Sequence, residues 1–173
     1  NKHAQVYHNA VIQDRCQIRR YAHVSGNARL SGRVIVDNRA VVSGKAIVED
    51  SCQILHSSNV YGGRLSGSTI VHDTSHIRQD PRIVDSTLRG ETIISGYATV
   101  MKTSTTGSVH ITGDANVYSG VLEGFVTVAG RAQVISSVLR LTNKYVAGVE
   151  DETLGNHRLK VLDFAVIANV ELL

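Results

Sequence analysis

The sequence predicts an all-β solenoid of stacked, three-sided coils, and three observations carry that expectation. A large aliphatic residue recurs at every sixth position, at Val6, Ile12, Ile18, Val24, Leu30, Val36, Val42, Val48, Ile54 and Val60. A smaller residue stands two positions before each one: Ala4, Ala10, Cys16, Ala22, Ala28, Val34, Ala40, Ala46, Cys52 and Ser58. Two positions after the aliphatic residue, glycine or a short polar residue recurs, as at Asp14, Gly26, Gly32, Asn38, Gly44 and Asp50. A fixed short period of this kind is the signature of a solenoid.

Beyond Val60 the beat continues through Leu65, Val71, Ile77, Ile83, Leu88, Ile94, Val100, Thr105, Ile111, Val117, Leu122, Val128, Val134 and Leu139. The steps Ile83 to Leu88, Val100 to Thr105, Val117 to Leu122 and Val134 to Leu139 each span five residues and recur every seventeen. The unit is therefore three short sides, 18 residues long early in the chain and 17 later. One corner is tightened in each late coil, because random drift would not place every deletion at the same corner.

Each position in the unit has a physical task. The large Val, Ile or Leu fills the coil axis, where β-branched side chains suit an extended backbone. Side chains alternate along a strand, so the residue two before it also points inward and must be small. The residue between them faces out and is usually polar: Gln5, His23, Arg29, Asn59, Arg64, His76. The corners carry Gly62, Gly67, Gly90, Gly96, Gly107, Gly113, Gly124 and Gly130, with Asp73 and Asp85 among the rest. These residue types tolerate the left-handed backbone of a sharp corner. Helix is excluded, since glycine on such a beat would break it repeatedly.

Segments such as Val24-Ser25-Gly26-Asn27-Ala28-Arg29, Val42-Ser43-Gly44-Lys45-Ala46-Ile47 and Ile111-Thr112-Gly113-Asp114-Ala115-Asn116 resemble the hexapeptide repeat of bacterial acyltransferases. The resemblance covers roughly residues 4–139 and implies a left-handed parallel β-helix of about eight coils. With strands about 4.8 Å apart, such a prism is about 38 Å long. The resemblance also implies homotrimers and acyl-coenzyme A as donor substrate, neither of which follows from the repeat itself.

Residues 1–140 are expected to form the β-helix, and residues 141–173 an irregular tail with an apolar cap. The cap is expected over residues 159–173, because a solenoid end exposes strand edge and core; a strand-like extension onto a neighbouring subunit is the alternative. Cys16 and Cys52 fall on inward small positions two coils apart, about 10 Å, too far for a disulfide, which suits a reduced protein. Nothing resembles a signal peptide or membrane span, so a bacterial cytoplasmic location without membrane partners is expected. The chain nevertheless begins without Met at full repeat strength, as a piece of a longer protein would, and in that case a secreted location is the alternative. The net charge of +3 is dispersed among acids, with no basic stripe interleaved with aromatics, which argues against a nucleic-acid groove.

Among eight histidines, His23, His76 and His110 all occupy outward middle positions on one face by phase. In the acyltransferases that the repeat resembles, an exposed histidine often takes the proton from the acceptor as it attacks the thioester. By that resemblance His110, and then His76, are the candidate catalytic bases; a solvated surface histidine fits the same pattern. Their separation by two or three coils leaves no metal site expected within one chain. No long loop interrupts the repeat from Ala4 to Leu139, although such a loop builds the acceptor pocket in active relatives.

Two functions therefore remain. One is a β-helical scaffold or recognition module without catalysis and requiring no cofactor, with outward Ile35, Ile70, Val121 and Val138 as a possible contact face. The other is an acyl-coenzyme A-dependent acyltransferase working at subunit clefts.

Overall fold

The six-residue beat folds as its spacing requires. The computed structural model describes residues 3–118, 120–123, 126–135 and 138–140, and the strands Leu159–Val161, Val166–Ala168 and Glu171–Leu172. Among the described residues three parallel sheets, each of nine strands, wrap around one axis. The first face runs from Gln5–Val6 through His23–Val24 to Leu159–Val161. The second runs from Val11–Ile12 through Arg29–Leu30 to Val166–Ala168, and the third from Gln17–Ile18 through Ile35–Val36 to Glu171–Leu172. No described residue is helical, and no helix among them is long and apolar enough to cross a membrane.

Register follows the period. Partners are 18 residues apart early, as in His23 opposite Val41, and 17 apart later, as in His76 opposite Ile93. The tightened corner joins the second face to the third: only Asp85 and Ser86 separate the strands Arg82–Val84 and Thr87–Leu88. An earlier five-residue step tightens the first corner once, between Val60 and Leu65. There the expected corner residue Gly62 is displaced by Gly63, which has the positive φ of 76°. Gly62 is needed for another reason, since a Cβ on it would lie 2.2 Å from the Gln79 carbonyl oxygen of the next coil. Gly124 lies outside the described residues.

The core is the inward set. From Val24 to Val128 the large aliphatic positions that can be described are fully buried, with Ala22, Ala28, Ala40, Ala46, Ala98, Ala115 and Ala132 as the small partners. Each buried Val, Leu or Ile contributes about 1.5–3 kcal/mol. At the first coil Val6 remains 48% exposed, because no strand pairs below it.

From Ser58 to Thr105 the core also takes hydroxyls: Ser58, Thr69, Ser75, Ser86, Thr92, Thr103 and Thr105 are buried. A buried hydroxyl needs a partner. At six-residue corners Ser58, Thr69 and Thr92 donate to the carbonyl three residues back, at 2.7–2.9 Å. At the tightened corner Ser86 and Thr103 reach the carbonyl two residues back, at 2.8 and 2.9 Å. Thr105, which occupies a large aliphatic position, meets Thr92 with hydroxyl oxygens 2.7 Å apart.

Past Arg140 the strands Leu159–Val161, Val166–Ala168 and Glu171–Leu172 pair in parallel with Val126–Val128, Gln133–Ile135 and Val138–Arg140. The irregular tail expected over 141–158 lies outside the described residues. Cys52 is buried and Cys16 half-buried, both as free thiols.

Candidate functional site

The first face carries the histidines singled out by sequence. Its outward column reads Gln5, His23, Val41, Asn59, His76, Ile93, His110, Thr127. His76 and His110 thus stand two rungs apart, about 10 Å, with Ile93 between them. His76 is half-buried, its Nδ1 lying 3.4 Å from Asn59 Nδ2. His110 is exposed, and no described side chain bonds its ring. His23 meets Tyr7 edge-on, with ring centroids 6.4 Å apart. A general base takes a proton from a donor atom about 2.6–3.2 Å away and is commonly oriented by a third group. Among the described residues neither His76 nor His110 has a carboxylate in that orienting position.

Beside this face, the first corner carries a groove of about 850 Å³. Its floor is Ser25-Gly26 and Ser43-Gly44, and its rim includes His8, Lys45, Tyr61, Arg78 and Asp80. Gly26 and Gly44 have φ near 70°, and a Cβ on Gly44 would lie 2.5 Å from the Tyr61 carbonyl oxygen. Stacking alone therefore explains the glycines. The rim is what offers chemistry: two cationic side chains, an acid, an imidazole, and a tyrosine that is 64% exposed. These residues lie far apart in sequence, and the coil brings them together from positions 17 or 18 apart.

The third corner holds a cluster that sequence reasoning missed. His56 and Asp73 are the apex residues of adjacent coils, with φ of 59° and 57°. His72 precedes Asp73, and its ring lies 3.9 Å from the His56 ring, centroid to centroid. The Asp73 carboxylate is anchored on both oxygens: Oδ2 accepts from the Gly90 N–H at 3.0 Å, and Oδ1 lies 2.7 Å from His72 Nδ1. The Gly90 N–H chiefly, with help from His72, holds this carboxyl below its ordinary range. The signal was present in the sequence as a separation of 17 between His56 and Asp73, one late coil.

Carboxylates at other corners serve the stack. Asp14 accepts from Gly32 N–H and Asp50 from Gly67 N–H, both at 2.8 Å, and Asp85 accepts from Ser68 N–H at 2.9 Å. Burial pushes the Cys52 thiol up to about 12, so it is an inert core group. On the third face Ile35, Ile70 and Val121 are half-buried, and the Val138 side chain lies outside the described set.

No protein-family profile matches the chain, and no curated protein matches it by sequence. Among solved structures it is similar to the crystal structure of UDP-N-acetylglucosamine O-acyltransferase (LpxA) from Moraxella catarrhalis RH4. The identity is 13%, the TM-score 0.52, and the match covers 78% of this chain and 66% of that one. At this identity the likeness concerns the fold alone, a left-handed parallel β-helix.

Proposed function

We propose that the chain is a β-helical recognition or assembly module, with the first-corner groove as its ligand-facing surface. The observation that carries this reading is the continuous stack: strand follows strand in parallel register at spacings of 17 or 18. Every described corner is closed by a short turn, so recognition falls to flat faces and to the groove rim. Lys45, Arg78 and Tyr61 give that rim the means to hold an anionic or hydroxyl-rich ligand.

The second reading is an acyl-coenzyme A-dependent acyltransferase, active as a homotrimer, with His110 or His76 as base. It is favoured by the likeness to an acyltransferase structure and by the outward histidines on one face. Turnover separates the two. Acetyl-coenzyme A is incubated with the protein and a pool of amines and alcohols, and free coenzyme A is read by mass spectrometry. The module releases it at the background rate. Faster release that disappears in a His76→Ala, His110→Ala double variant would establish the enzyme instead.

A further inference from the structure

We propose that His56, His72 and Asp73 form a binding site for a divalent d-block cation, zinc by donor set, at the third corner. One ligand atom from each of the three residues lies within 4.8 Å of the other two. Among the described residues no other group of three His, Cys, Asp or Glu side chains converges in this way. Two imidazoles and a carboxylate are a donor set that zinc accepts, with a fourth position left for water or another ligand.

The coil builds the site in three ways. His56 and Asp73 are both held in the left-handed corner conformation, which sets them at the same apex of adjacent coils. Asp73 is oriented from behind by the Gly90 N–H, in the manner of the outer contacts that fix metal ligands. The His56 and His72 rings already lie against each other, at 3.9 Å between centroids.

Zinc bonds of about 2.0–2.1 Å need ligand atoms about 3.3 Å apart in a tetrahedral shell. Rotation of the exposed His56 side chain supplies that adjustment, while the 2.7 Å contact between His72 and Asp73 opens slightly. The bound cation would tie two neighbouring coils together and present its open position outward. It does not depend on the first-corner groove or on the first-face histidines.

The test is titration of the full chain with zinc chloride against a chromophoric chelator, with copper(II) electron paramagnetic resonance as a second readout. The wild-type protein should bind one equivalent per chain, show coupling to two nitrogens with copper, and melt at a higher temperature with zinc. His56→Asn should weaken zinc binding at least tenfold without unfolding the chain. Asparagine is already the apex residue one coil earlier, at Asn38, with φ of 62°. His72→Gln should do the same, and His23→Ala should leave zinc binding unchanged. The proposal is overturned if the wild type shows no saturable binding in the micromolar range. It is also overturned if a folded His56→Asn variant binds zinc as tightly as the wild type.

Discussion

Val117→Asp is the sharpest test of which residues point inward. Val117 lies in the strand Asn116–Tyr118, paired with Val100 and Val134, and is wholly buried among aliphatic side chains. Losing the apolar side chain costs about 1.5–2 kcal/mol. A carboxyl held at that point would have its pKa raised enough to stay protonated near neutral pH, which costs about 4 kcal/mol at pH 7, and burying the neutral carboxyl without a partner adds about 1–3 kcal/mol more. The sum of about 6–9 kcal/mol rivals the whole stability of a typical domain, about 5–15 kcal/mol. Far-UV circular dichroism should therefore show the variant largely unfolded at pH 7, with partial recovery as the carboxyl is protonated in acid. Val117→Thr is the control, because hydroxyls already sit in this core at Thr92 and Thr105. It should lose only a small part of the stability. A Val117→Asp protein that melts like the wild type would refute the inward assignment.

Three further outcomes are expected. Gly67→Ala should destabilise by about 2–3 kcal/mol in urea unfolding. It imposes φ of +70° on an L residue and brings a Cβ to 2.0 Å from Asp85 Oδ1, displacing the acceptor of the Ser68 N–H. Because the Cys52 thiol is raised from 9.0 to about 12, its contribution is intact below pH 9 and is lost as pH rises from there through 12. A Cys52→Ala variant should lose less stability than the wild type across that window. His110→Ala should change stability by less than about 0.5 kcal/mol, since the side chain faces solvent. A large drop in its melting temperature would make His110 a structural residue.

The architecture was legible because each task in the coil restricts residue type. Inward positions demand aliphatic or small side chains and corners demand a left-handed backbone, so Val24, Ala28 and Gly26 each announce their place. The same phase placed His23, His76 and His110 on one face. Three things were hidden. Thr105 sits on the aliphatic beat, yet its burial depends on a hydroxyl partner, Thr92, that only the stacked coil supplies. The third-corner cluster depends on register. The shortened step between Val60 and Leu65 sets the coil length at 17 there, and this brings Asp73 opposite His56; an 18-residue coil would have brought Thr74. Side chains that meet only through such a shift carry no local pattern. The first-corner groove was illegible for a related reason, since its lining is drawn from five successive coils.

The proposed function turns on whether this β-helix takes up an acyl donor. Isothermal titration with acetyl-coenzyme A, on protein whose oligomeric mass is read by light scattering, asks that without knowing the acceptor. A recognition or assembly module predicts no heat of binding at millimolar ligand. Saturable binding to a trimer, weakened by His110→Ala, would contradict it and favour the acyltransferase reading.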